Sequence, residues 1–229
     1  MTRGDRAITI LEGPAGAGKS TMADLLIKHG FHLIPRRTDI HQEHVRNYSY
    51  YLDDALRSQQ KDLLYLTQAL KLSRVLEFPP VIDRCILSQL VYGALRRKLP
   101  IITSPYSLVQ SHLRLLGDVL EGDYEMRDQG QIRPWYGPLH YIFVILLPTP
   151  EKLEEQRRIS GKGYPFNAQD EVALYSTFEE HGSNSGPIMI KFGKGSNINS
   201  VSDLLITQLE QRFKTLGVQH VFGSRARSH

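Results

Sequence analysis

Short apolar runs alternate along this chain with longer stretches whose apolar residues recur every three or four positions, and the alternation continues to about residue 215. Residues 7–12, Ala7-Ile8-Thr9-Ile10-Leu11-Glu12, have strand length and β-branched content, and residues 18–29 follow with helical spacing. A second strand is expected over 31–34, ending at Pro35, and a helical pattern fills roughly 40–77 until Pro79-Pro80 stops it. Val81-Ile82-Asp83 reads as a third strand and 85–97 as the helix after it. A further helix is expected over 105–121, and residues 122–138, which hold Trp135, read as an irregular insertion. Residues 141–147, from Tyr141 to Leu147, are the clearest buried strand, leading into a charged helix over 150–160. Helices over 168–181 and 200–215 flank a last strand over 188–192. Strands that are apolar throughout and separated by helices predict an α/β fold: a parallel sheet of about five strands covered by helices on both faces.

One connection carries its own chemistry. Residues 13–20 read Gly13-Pro14-Ala15-Gly16-Ala17-Gly18-Lys19-Ser20, the pattern G-x-x-x-x-G-K-[ST], between a predicted strand and a predicted helix. Glycines let successive N–H groups curl around a polyphosphate, and the helix start adds partial positive charge. Lys19 then reaches the outer phosphates and the Ser20 hydroxyl suits Mg²⁺, with Thr21 completing the loop's end. The fold class sharpens to a P-loop NTPase-type sheet with the site at the strands' carboxyl ends, and the expected cofactors are ATP and Mg²⁺.

With 229 residues the chain suits one P-loop domain, taken as 1–222, including a small helical lid at about 150–168, then a flexible basic tail at 223–229. The formal charge of +4 fits a site that gathers cations for anionic substrates better than a nucleic-acid surface, because no run of five like charges occurs. A single cysteine, Cys85, allows no internal disulfide and leads us to expect a cytoplasmic protein. No apolar run approaches the ~20 residues that span a bilayer, and no signal-peptide pattern opens the chain.

A second motif follows the third strand. Asp83 leaves a buried strand beside the loop, placed to hold Mg²⁺, and Arg84 can grip a second, anionic reactant; a helix cap with a solvated arginine is the plainer alternative. The run D-R-x-x-x-S-x-x-x-Y formed by Asp83, Arg84, Ser88 and Tyr92 resembles the thymidylate kinase signature. Leu11-Glu12-Gly13 through Gly18-Lys19-Ser20-Thr21 is similar to the opening of thymidylate and deoxynucleoside kinases. The resemblance implies transfer of the γ-phosphoryl group of ATP to a nucleoside or nucleotide. It also implies a lid whose arginines close over the phosphates, which points to Arg157 and Arg158, with Lys162 nearby. A surface helix pairing Glu154 with Arg158 would read the same way. Similar kinases are often homodimers.

The acceptor is argued from proton chemistry. A hydroxyl needs a carboxylate to take its proton, whereas a monophosphate oxygen is already ionised. Deoxynucleoside kinases place that carboxylate after the second strand; here the stretch is Ile34-Pro35-Arg36-Arg37-Thr38-Asp39. Thymidylate kinases have an arginine there for the acceptor's phosphate, so the resemblance favours a monophosphate, with Arg36 or Arg37 helping Arg84 hold it. Two arginines on a solvated loop are the plainer alternative. In similar kinases this face of the long helix reads the base, which points to Tyr65 and Gln68, with Leu72. Packing within a helical bundle explains Tyr65 and Leu72 equally well, and Tyr48, Tyr50 and Tyr51 are further candidate walls. One departure is plain: many thymidylate kinases carry an acid within the loop for the sugar 3′-hydroxyl, and this loop has Ala15 and Gly16. The leading expectation is a pyrimidine deoxynucleoside monophosphate kinase. The rivals are a deoxynucleoside kinase, a kinase acting on a nucleotide within DNA, and a non-enzymatic NTP-dependent switch.

Overall fold

Period-two burial in the strands decides the architecture. In the computed structural model, which describes residues 6–34, 79–84, 86–97, 139–181 and 186–218, the first strand β1 (Arg6–Glu12) sends Ala7 and Leu11 to one face and Ile8 and Ile10 to the other. The long strand β4 (Leu139–Pro148) does the same with Ile142, Val144 and Leu146 against Phe143, Ile145 and Leu147. Both faces are apolar, so both must be covered.

The sheet holds five strands in the order β2-β3-β1-β4-β5, every pair parallel, with β2 at His32–Leu33, β3 at Pro80–Asp83 and β5 at Ile188–Phe192. One face is packed by α1 (Lys19–Lys28) and the C-terminal α5 (Ile198–Thr215) through Met22, Ala23, Leu26, Leu205, Leu209 and Phe213. The other is packed by α2 (Ile86–Arg97) through Leu87 and Val91 and by Tyr175 and Phe178. Between β4 and β5 run α3 (Pro150–Ser160) and α4 (Ala168–Ser176). Thr149 caps α3, with Pro150 at its first turn and Gly161 closing it in a left-handed turn at φ 63.

The expected elements stand among the described residues with small shifts. The helix expected over 168–181 stops as an α-helix at Ser176 and tightens into a 3₁₀ turn, Thr177–His181. There Ser176 Oγ and Thr177 Oγ1 donate to the carbonyls of Val172 and Leu174, as short hydroxyl side chains do when they compete for helix carbonyls. The second strand is two residues rather than four, and α5 begins earlier, at the Asn197 cap. The helices expected over 40–77 and 105–121, the insertion at 122–138 and the tail lie outside the described residues. Among the described residues no helix is long and apolar enough to cross a membrane.

Because β4 is paired on both sides and Phe143 is 1% exposed, Phe143→Ala should cost about 3–5 kcal/mol in urea unfolding. Ile159→Ala, at a position 76% exposed, should stay within about 0.5 kcal/mol.

Candidate functional site

The loop after β1 is shaped by close approach to β4. Gly13 has φ 136, and a Cβ there would sit 2.3 Å from the Leu146 carbonyl oxygen, so only glycine passes. The loop turns back with Ala17 N–H donating to the Pro14 carbonyl at 3.2 Å. Gly18, left-handed at φ 84, then starts α1 with no side chain capping it. The first-turn amides of an α-helix have no intrahelical acceptor, and the helix dipole adds positive potential where they point. This end of α1 can accept an anion.

Lys19 lies 5% exposed behind the loop, donating from Nζ to the carbonyls of Gly13 at 2.8 Å and Pro14 at 2.6 Å. Burial, then the like charge of Arg84, pushes its ammonium down to about 7, against the pull of Asp83, Glu12 and Glu171. On the adjacent strand Asp83 accepts from Ser20 Oγ at 2.8 Å, so the two residues expected to share Mg²⁺ meet. A hydroxyl and a carboxylate are hard oxygen donors that fit that ion, with phosphates and water filling its other positions.

Arg84 is the sole non-glycine residue with positive φ (74) among the described residues. Its N–H donates to the Leu11 carbonyl at 3.0 Å, which ties the strained turn to β1. Its guanidinium lies 5.5 Å from the centroid of the Tyr92 ring, and Phe166 stacks on that ring at 5.9 Å. The D-R-x-x-x-S-x-x-x-Y spacing thus folds its arginine onto its tyrosine.

Two carboxylates bind these parts together. Glu12, fully buried, accepts from Ser88 Oγ and from the Ser88 N–H at 3.4 Å, holding the start of α2 against the end of β1. Ser88 Oγ also meets Tyr175 Oη at 3.2 Å, and burial with the Glu12 charge raises that phenol's pKa. Glu171, likewise fully buried, comes from α4 and accepts from Ala15 N–H at 2.8 Å, Tyr92 Oη at 3.2 Å and Arg157 Nη2 at 2.5 Å. Burial above all lifts the Tyr92 pKa to about 12, which keeps that phenol a donor.

Arg157 and Arg158, paired in the sequence reading, part company here. Arg157 is 5% exposed, donating to the carbonyls of Ala15 at 2.9 Å and Phe166 at 2.8 Å and lying 4.6 Å from the Tyr164 ring centroid. The segment expected to form a lid is therefore fastened to the loop after β1. Arg158 and Lys162 are exposed. Glu154 accepts the Ala168 N–H at 3.2 Å, a contact that sequence spacing within one helix does not reveal. Arg36, Arg37, Tyr65 and Gln68, with Tyr48, Tyr50, Tyr51 and Leu72, lie outside the described residues. Sequence reasoning missed Glu171 as a site residue, and no local signal marks it: it is one of two acids in the first turn of α4.

No family model matches the chain, and no curated protein matches it. Solved structures do. A gluconokinase from Sinorhizobium meliloti 1021 aligns over 92% of this chain and 95% of its own, with a TM-score of 0.50 and 14% identity. A deoxyadenosine kinase from M. mycoides with bound dATP aligns over 88% and 98%, at 0.47 and 16%. A thymidylate kinase from Ehrlichia chaffeensis aligns over 89% and 99%, at 0.45 and 16%. At such identities the likeness concerns the fold alone: a five-stranded parallel sheet with helices on both faces.

Two outcomes follow from the buried charges. Arg157→Met leaves the Glu171 carboxylate without its cation and should destabilise the protein by about 3–5 kcal/mol in urea unfolding. Burial disfavours the charged form of Lys19, so the folded protein binds fewer protons than the unfolded chain between about pH 7 and the ordinary lysine value of 10.5. Stability of the unliganded protein should therefore rise with pH through that window. Urea titrations at about pH 7, 8 and 9 check this, and Lys19→Met should flatten the rise.

Proposed function

We propose that this protein is an ATP-dependent kinase that phosphorylates a deoxynucleoside monophosphate, with a pyrimidine base the favoured acceptor. The observation that carries the reading is the meeting of three features at the ends of β1 and β3. These are an uncapped helix start behind a glycine loop, the Ser20–Asp83 hydrogen bond, and Arg84 on the residue after Asp83. An NTP switch has no need of a second anion grip beside its phosphate loop.

In this reading the α1 amides and Lys19 hold the triphosphate, Lys19 leaving the Gly13 and Pro14 carbonyls to do so. Ser20 and Asp83 would hold Mg²⁺, which when bound neutralises charge on the phosphates. Arg84, with Arg36 and Arg37, holds the acceptor's phosphate. Arg158 and the lid supply charge to the transferring group, and Arg157 joins them by exchanging Glu171 for phosphate oxygen. The protein then works among soluble nucleotides in the cytoplasm.

A second reading has one observation in its favour. Glu171 brings to Ala15 a carboxylate that the loop's own sequence lacks. A carboxylate there suits a sugar hydroxyl, and with a nucleoside acceptor it would lie near the proton to be removed. An ATP-consumption screen across nucleosides, deoxynucleoside monophosphates and short DNAs separates the cases. We expect turnover with monophosphates, and none in Lys19→Ala although that variant stays folded by circular dichroism. Turnover with nucleosides alone would favour the second reading. Binding to DNA that weakens steeply with salt would favour an acceptor within nucleic acid. Full activity in Lys19→Ala would remove the kinase assignment.

A further inference from the structure

A cleft of about 190 Å³ opens beside the phosphate loop. Ala17, Gly18, Thr21 and Met22 line it from the loop and α1, Lys152 and Gln156 from α3, and Ser196, Asn197 and Ile198 from the turn into α5. Most of its polar side chains are already engaged. Asn197 accepts the Ser200 N–H at 2.8 Å as the α5 cap, Ser196 Oγ accepts the Gly193 N–H at 3.2 Å, and Lys152 pairs with Glu155 at 3.0 Å. Gln156 differs. Its Oε1 is buried and has no hydrogen-bond partner, a costly state for an amide oxygen.

We propose that Gln156 is the residue that selects the base of the donor nucleotide, and that it selects a base presenting an amino group beside a ring nitrogen, as adenine does. The inference rests on the kinase reading above, since a triphosphate on the α1 amides extends its nucleoside toward this cleft, which shares Ala17 and Gly18 with the loop. The last torsion of a glutamine is soft, so the carboxamide can turn its oxygen to an arriving donor. Oε1 then accepts from the exocyclic amino group while the NH₂ donates to the adjacent ring nitrogen, the bidentate match between a carboxamide and adenine. The same edge of guanine offers two acceptors, which leaves Oε1 without a donor. Asn197, Ser196 and Lys152 are held by the turn and by α3, and Thr21 offers a single hydroxyl on α1, so the two-point match to the base edge falls to this one amide.

Calorimetric titration of ATP, GTP and inorganic tripolyphosphate, with Mg²⁺, tests the idea on wild-type protein, Gln156→Leu and Gln156→Met. Wild type should prefer ATP to GTP by about tenfold, the worth of one hydrogen bond. Both variants should lose that preference through weaker ATP binding, keep tripolyphosphate binding unchanged, and melt no lower than wild type because the orphaned oxygen is gone. The methionine variant retains an unbranched side chain, which guards against a folding defect specific to leucine. An ATP preference that survives in both variants overturns the role of Gln156 and leaves the kinase reading intact. Failure of wild type to bind any of the three overturns the kinase reading, and this inference with it.

Discussion

The level at which two neighbouring parallel strands end governs this molecule. Leu11 of β1 is in register with Asp83 of β3, so the phosphate loop and the Asp83-Arg84 turn leave the sheet side by side. The Arg84 N–H donates to the Leu11 carbonyl and continues that pairing past the last strand residue. Lys19, Ser20, Asp83 and Arg84 share one small volume as a result, and the lowering of the lysine's pKa by burial and then by the Arg84 charge is its electrostatic signature. A slip of one residue in a parallel pair would turn every side chain of β3 to the other face and separate these groups.

A second layer of order comes from Glu171. One carboxylate ties the loop at Ala15, α2 at Tyr92 and α3 at Arg157, elements far apart in sequence. Buried ion pairs are poor sources of net stability, because desolvation offsets most of the attraction. Their geometry is specific, however. Here the pair sets α3 and α4 against the loop, with Arg157 reaching the Ala15 carbonyl and Glu171 its N–H.

The phosphate loop was readable from sequence because its chemistry is local. Glycines at Gly13 and Gly18, a lysine and a hydroxyl within eight residues leave few other structures available to that segment, and the flanking strand and helix carry their own periodicity. That Asp83 would lie beside Ser20 was expected from the order of strand, loop and strand, and the two do meet. Strand faces, too, follow from alternation in β1 and β4, since apolar side chains on both sides of a strand demand two covering layers.

Long-range polar partners were not readable. Arg157 and Arg158 are neighbours with the same side chain, and nothing local says that one is buried on Glu171 while the other faces water. Helical phase separates them by about 100°, but which phase is inward depends on where α3 packs. Sequence by itself determined the sheet, its covering helices and the glycine turn between β1 and α1, because these arise from backbone constraints and the period of apolar residues. Only the tertiary structure decided which charges face one another, because a buried ion pair is chosen by elements meeting in space, across separations such as the 156 residues between Ala15 and Glu171.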